Sequence, residues 1–126
     1  MKENNKTIDS EELSKIVVKG MLEKKATNVV IIDLKGIKNA IADYFIVGSG
    51  NSDTQVDAIS DSVEDIVYKN TKQDPWHKEG KKNKEWILID YVDVVAHVFK
   101  KEQRAFFALE DLWGDAEITH VESEDK

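Results

Sequence analysis

The chain has 126 residues, of which 40% are hydrophobic and 34% carry a charged side chain. This length fits one domain, in which about two-thirds of the surface of the unfolded chain can be buried on folding. Lysine and arginine together number 18 and aspartate and glutamate 25, so the net charge is -7. Nucleic-acid phosphates repel a negative chain, which argues against direct binding of nucleic acid and favours a basic partner.

The absence of cysteine excludes a disulfide framework, a thiolate nucleophile and cysteine-bound zinc. The first residues are polar and acidic and lack the apolar core of a signal peptide. No apolar run approaches the ~18 residues that a membrane span requires. We therefore expect a cytoplasmic protein that does not bind membranes.

The first part of the chain predicts a helix followed by two buried strands. Asp9 and Glu12 have the spacing of a capping box, which predicts a helix over residues 10–24. Short β-branched runs at 28–34 and 43–48 are typical of inner strands that are covered on both faces.

A glycine-rich turn at residues 48–51 then ends the second strand, and a second helix is expected to follow it. Ser52 and Gln55 form another capping box, and apolar residues recur on one stripe down to about Lys69. Acidic residues occupy most of the remaining helix surface.

The second half of the chain predicts a hairpin between a basic loop and a third helix. A short strand near Trp76 leads into an exposed, lysine-rich loop at 78–84. The segments 86–90 and 93–100 read as two strands with apolar residues on both faces, joined by a tight turn. Helical spacing of large apolar residues follows from residue 101 to a glycine cap at Gly114.

These elements predict a single α/β domain with a mixed β-sheet of about five strands flanked by helices. Residues 1–9 are expected to form a flexible N-terminus, residues 10–116 the domain, and residues 117–126 an acidic tail.

The strand, glycine turn and helix over residues 45–59 would place backbone amides at a helix N-terminus, where an anion can bind. The turn lacks the lysine of a P-loop and the third glycine of a dinucleotide fingerprint. A nucleotidyltransferase would also need paired magnesium-binding carboxylates on the next strand, and residues 73–82 offer no such pair. We interpret the segment as a structural turn and cap, with a phosphate site of a divergent nucleotidyltransferase as the alternative.

Other candidate chemistry is equally sparse. Asp90 and Asp93 lie three residues apart and could share a hard cation, although turn residues or a protein contact are favoured. His77, His97 and His120 lack the spacing of a zinc site or a serine partner. We predict no catalytic residue, no metal site and no cofactor.

His97 interrupts the most hydrophobic strand, VVAHVF, where two interpretations stay open. One is a hydrogen-bonded histidine beneath a helix, and the other is a partly exposed recognition residue.

Aromatic residues are concentrated between positions 76 and 113, and Phe107 lies off the apolar stripe of the third helix. Rings beside acids such as Asp93 and Glu110 resemble a protein-binding hot spot, although all of them could instead lie in the core. Residues 102–126 hold eight acidic residues against two basic ones. Such a run is usually only a solvated face, but next to exposed rings it would favour a basic ribosomal or nucleic-acid-binding protein as partner.

Four segments together resemble one known family. They are ADYFIVGSGNSDTQVDAI at 42–59, HKEG at 77–80, WILIDYVDVVAHVF at 86–99 and RAFFALEDLWGDA at 104–116. The chain is similar in these segments to the ribosomal silencing factor family (RsfS, also called iojap). The resemblance spans nearly the whole chain up to Ala116.

This resemblance implies an α/β domain related in topology to nucleotidyltransferases but without their catalytic carboxylates. It also implies binding to the large ribosomal subunit through ribosomal protein L-fourteen, on the face that the small subunit joins. The bound factor would block joining and repress translation under nutrient limitation. Self-association as a homodimer is implied as well, and a role in assembly of the large subunit is the alternative.

Thirteen positions match the family strongly: Asp43, Ser52, Glu79, Gly80, Trp86, Asp90, Asp93, His97, Arg104, Leu109, Glu110, Leu112 and Trp113. Five are assigned to folding: Asp43, Ser52, Gly80, Trp86 and Leu109. Seven residues are predicted to bind the partner: Tyr91, Asp93, His97, Phe99, Phe107, Glu110 and Trp113. Many relatives have glycine where this chain has Val92, and a β-branched residue disfavours positive φ, so we expect a different backbone type in this turn.

Overall fold

The computed structural model describes residues 8–107 and 115–121, except for the side chains of 105–107. In chain order, the elements are α1 (Ser10–Glu23), β1 (Thr27–Asp33), β2 (Tyr44–Gly50), α2 (Asp53–Thr71), β3 (His77–Glu79), β4 (Trp86–Asp90), β5 (Val94–Lys100), α3 (Lys101–Phe107) and β6 (Glu117–His120). Their order and bounds agree closely with the sequence prediction up to α3. No helix in these described ranges is long and apolar enough to cross a bilayer.

The strands form one mixed sheet in the order β3-β4-β5-β2-β1-β6. β2 and β5 are parallel, and every other neighbouring pair is antiparallel. α1 and α2 pack against each other and against the centre of this sheet. The structure therefore confirms a single α/β domain with helices flanking a mixed sheet.

β6 is the sixth strand, and it lies where the sequence predicts the start of an acidic tail. Ile118 is paired with Ile32 of β1, and Glu117 is paired with Asp33. Four residues with one apolar side chain give no alternating pattern, so the sequence carries no strand signal here. The segment becomes a strand because it pairs with β1, which is far away in sequence, and a local residue pattern does not show such a partner.

Both predicted helix starts are confirmed. Asp9 Oδ1 accepts a hydrogen bond from the amide of Glu12 at 2.8 Å. Ser52 Oγ accepts from the amide of Gln55 at 3.1 Å, and Gln55 Oε1 accepts from the amide of Asn51 at 2.6 Å. These caps satisfy donors that have no partner within the helix, and so they fix where each helix begins.

The sheet is buried on both faces at its centre and less so near one edge. β2 is buried throughout, and β5 is buried from Val94 to Phe99, as the sequence predicts. β4 instead alternates, with Ile87 and Ile89 buried but Trp86, Leu88 and Asp90 only half-buried. The prediction that both faces of β4 are covered is wrong, because a run of apolar residues does not reveal how far a strand lies from the sheet edge.

The turn between β4 and β5 also differs from the prediction. Val92 has φ +77°, so the turn uses a left-handed residue even though its side chain is β-branched. Asp90 Oδ1 accepts a hydrogen bond from the amide of Val92 at 2.7 Å, and the amide of Tyr91 donates to Val94 O at 2.9 Å. These hydrogen bonds outweigh the intrinsic preference of valine for negative φ.

We expect Val92→Gly to raise the free energy of unfolding by about 1 kcal/mol, because glycine adopts positive φ without strain. Urea denaturation of the two proteins measures the change. Val92→Ala is the matched control, since it shortens the side chain but keeps a Cβ at positive φ, and it should gain much less. Equal gains in both variants would show that φ strain is not the cause.

Candidate functional site

The structure describes four of the seven side chains predicted to bind a partner. Glu110, Trp113 and the side chain of Phe107 lie outside the described residues. Asp93 is exposed, whereas Tyr91, His97 and Phe99 are buried. These three are core side chains, and Asp93 is the one of the four that lies at the surface. The alternation of side chains along β5 places His97 and Phe99 on one face of the sheet, but it does not reveal that this face is covered, and so the sequence did not predict their burial.

His97 lies in an aromatic part of the core. Its ring centroid is 4.6 Å from that of Phe45, and Trp86 Nε1 donates a hydrogen bond to His97 Nδ1 at 3.0 Å. Burial lowers the pKa of His97 to about 3, so its imidazole is neutral at physiological pH. Burial and the hydrogen bond from Trp86 agree with a core histidine, whereas a helix covering His97 stays a prediction.

Tyr91 lies in the turn between β4 and β5, and its side chain is buried. Burial raises the pKa of its hydroxyl, and the nearby negative charges of Glu64 and Asp74 raise it further. The hydroxyl has no hydrogen-bond partner among the described residues. Tyr91 therefore stays protonated, and Asp74 is close enough to the turn to act on it electrostatically.

The N-terminus of α2, where the sequence suggested an anion site, is surrounded by hydrogen bonds and an ion pair with other residues of the protein. The side-chain amide of Gln55 donates to Lys24 O at 3.1 Å and to Lys25 O at 3.2 Å. Asp53, in the first turn, forms an ion pair with Lys100 at 2.9 Å. A carboxylate at this position disfavours a bound phosphate, and the interpretation of the segment as a structural turn and cap fits the geometry better.

The basic loop at 78–84 is attached to the acidic surface of α2. Lys81 Nζ lies 2.8 Å from Asp57 Oδ1 and 3.0 Å from Asp61 Oδ1. Lys78 Nζ lies 3.1 Å from Glu64 Oε2. The hydrogen bond from Lys81 lowers the pKa of Asp57. The positive charge of the lysine-rich loop is thus largely neutralised within the domain.

The acidic pair Asp90 and Asp93 is not similarly neutralised. Neither carboxylate forms an ion pair with any side chain that the structure describes, and Asp90 accepts the Val92 amide. Within residues 8–107 and 115–121, no three histidine or acidic side chains are grouped to hold a metal ion. Asp90 therefore acts as a turn residue in this structure.

Three large apolar side chains are exposed close to this turn. Ile41 is 77% exposed, Trp76 74% and Val92 56%. Together with Asp90 and Val95 they line a shallow depression of about 390 Å³. The sequence singled out Trp76 and Val92 but not Ile41, whose isolated position in a polar loop gives a weak signal.

Comparisons with known proteins agree on one family. The model of the family described as "Ribosomal silencing factor during starvation" matches residues 7–126. The chain is 39% identical over 115 residues to ribosomal silencing factor RsfS of Halalkalibacterium halodurans, covering 91% of this chain and 97% of that protein.

Two further comparisons extend this result. Mouse "Mitochondrial assembly of ribosomal large subunit protein 1" is 36% identical over 74 residues, covering 56% of this chain and 32% of that protein. The fold is similar to the crystal structure of a Chromobacterium violaceum protein, with a TM-score of 0.79 and 28% identity. That match covers 94% of this chain and 98% of the other.

Proposed function

The chain belongs to the ribosomal silencing factor family, and from this membership we propose that it binds the large ribosomal subunit through ribosomal protein L-fourteen. The bound protein prevents the small subunit from joining, and so represses translation when nutrients are limiting. The observation that carries the proposal is the family match over residues 7–126. The nucleotidyltransferase-like topology implied by the sequence resemblance remains a prediction.

Blocking of this kind depends on occupancy and not on a chemical step. A factor that covers an intersubunit surface needs affinity, a long residence time and sufficient bulk, and it needs no cofactor, metal ion or catalytic group. The net charge of -7 supports attraction to a positively charged protein surface. The cytoplasm is the compartment in which we propose that this protein acts.

Sedimentation tests the proposal. Purified small and large subunits are mixed with and without the protein and separated on a sucrose gradient. We expect the protein to migrate with large subunits and the yield of joined ribosomes to fall. A protein that stays at the top of the gradient, with an unchanged yield, would refute the proposal.

Replacing Glu110 or Trp113 is expected to weaken binding to large subunits. Trp113→Ala should cost about 2 kcal/mol, or roughly 30-fold in affinity, if its ring is a hot-spot contact, and Glu110→Lys should oppose a basic partner. Titration of labelled protein with large subunits gives both affinities. Glu122→Ala, in the same acidic region, is the control and should bind normally.

If Trp113→Ala binds large subunits more weakly, its melting temperature shows whether a lost contact or a destabilised fold is the cause. Weaker binding with an unchanged melting temperature supports a contact with the partner. A large fall in melting temperature would instead assign the ring to the core.

A role in assembly of the large subunit is a second candidate, which the name of the mouse relative favours. Deletion of the gene would then cause precursors of the large subunit to accumulate during growth in rich medium. Normal precursor profiles in such a strain would exclude this role. Self-association is a separate proposal, which sedimentation equilibrium of the purified protein would test.

A further inference from the structure

Within the part of the chain that the structure describes, large exposed apolar side chains are concentrated at one place. Four large apolar or aromatic side chains are exposed among the described residues, and three of them surround the depression beside the β4–β5 turn. We call Ile41, Trp76 and Val92 the apolar patch. Single exposed apolar residues are common on any protein, but a cluster of large ones is typical of an interaction surface.

The three segments that carry the apolar patch are joined by backbone hydrogen bonds. The amide of Trp76 donates to Asp90 O at 2.8 Å, which attaches the segment before β3 to the end of β4. The amide of Asp43 donates to Asp93 O at 2.8 Å, which attaches the loop carrying Ile41 to the β4–β5 turn. The patch is therefore formed before any partner arrives, and binding does not have to order these loops.

One carboxylate lines the depression, and two more belong to residues close in sequence to Trp76 and Val92. Asp90 lines the depression, Asp93 follows Val92 directly, and Asp74 lies two residues before Trp76. None of the three forms an ion pair with a described side chain, whereas Asp57 and Glu64 on α2 are each paired with lysine. Negative charge is thus neutralised on α2 and left available beside the exposed apolar residues.

We propose that the apolar patch and its three carboxylates form the docking surface for a basic protein segment on the large ribosomal subunit. This inference rests on the proposed function and assigns it a surface. The apolar side chains would supply buried area, and the three carboxylates would attract lysine or arginine.

The same charges argue against two other occupants. In a two-fold symmetric contact between copies of the chain, each patch faces its own kind, so the carboxylates of both copies would be brought close together. Ribosomal RNA would bring phosphates against the same carboxylates. A positively charged protein surface is the occupant that the charges favour.

Binding to isolated large ribosomal subunits tests the proposal, with Ile41→Ser and Trp76→Ser as the variants. We expect each variant to lower the affinity at least tenfold. Ile41 is 77% exposed and Trp76 74%, so neither substitution should lower the melting temperature, and unfolding then cannot explain the loss of binding. Tyr68→Ser is the matched control and should bind normally. Tyr68 is the fourth of the large exposed apolar or aromatic side chains, but it lies on α2, outside the apolar patch, and is 45% exposed.

The role of the carboxylates is tested separately, by association kinetics and by the salt dependence of the affinity. A variant with both Asp74→Asn and Asp93→Asn should associate more slowly with large subunits, and its affinity should depend less on salt than that of the unmodified protein. Unchanged association kinetics would remove the charges from the docking surface.

The outcomes separate this inference from the function on which it rests. If the unmodified protein binds large subunits and both patch variants bind equally well, the docking surface is wrong and the proposed function stands. If the unmodified protein does not bind, both fail. If the variants lose only self-association, or only affinity for deproteinised ribosomal RNA, the occupant proposed here is overturned.

Discussion

Gly80→Ala is expected to destabilise the domain by about 3 kcal/mol or more, because the backbone at this position has no room for a side chain. Gly80 has φ +90°, and a Cβ built on it would lie 1.9 Å from the carbonyl oxygen of Trp86. That carbonyl belongs to β4, whose Trp86 is paired with Phe99 of β5. The strand cannot move away without losing sheet pairing, so the clash cannot be relieved cheaply.

Gly36→Ala is the matched control for this prediction. A Cβ at Gly36 would meet no atom within 4 Å. We expect that variant to unfold within about 0.5 kcal/mol of the unmodified protein in urea. Similar stabilities for the two variants would contradict the backbone geometry at Gly80.

Lowering the pH from 6.5 to 5 is expected to reduce the free energy of unfolding by about 1.5–2 kcal/mol through His97 alone. Burial lowers the pKa of His97 to about 3 in the folded protein, whereas the unfolded chain has the ordinary value near 6.5. Below pH 6.5 the unfolded state therefore binds a proton that the folded state does not. This contribution to stability is complete above the unfolded pKa and is lost as the pH falls towards 3.

Urea denaturation at several pH values measures this dependence. His97→Gln should be less stable overall, since the hydrogen bond from Trp86 is disturbed, but its stability should change less between pH 6.5 and 5. His77→Gln is the control, because His77 is exposed and lies on the edge strand β3. An identical pH slope in His97→Gln and in the unmodified protein would show that His97 is not the residue responsible.

Helix starts and inner strands could be predicted from the sequence because their signals are local. The side chains of Asp9 and Ser52 cap helices that begin where expected. β2 and β5 are continuous apolar runs, and they are the parallel pair at the centre of the sheet. In these segments, local patterning and tertiary packing favour the same conformation.

Features that depend on hydrogen bonds not visible in the sequence pattern were harder to predict. β6 has one apolar residue and gains its pairing from β1. Val92 adopts positive φ because hydrogen bonds within its turn oppose its intrinsic preference. In both cases hydrogen bonding outweighs the intrinsic preference of the residues.

The residues predicted to bind a partner also show how far sequence-based prediction reaches. Tyr91, His97 and Phe99 were selected by their chemistry, and the structure buries all three. Ile41 and Trp76 are far apart in sequence and meet Val92 only after folding. A sequence pattern can identify residues suited to recognition, but their shared surface is a property of the fold.

The most direct test of the central claim is the rate at which ribosomal subunits join, followed by light scattering. Large subunits are first saturated with the protein, and small subunits are then added. Blocking by occupancy predicts that joining slows in proportion to the fraction of large subunits that carry the protein. If large subunits with bound protein join small subunits at the normal rate, the proposed mechanism is contradicted.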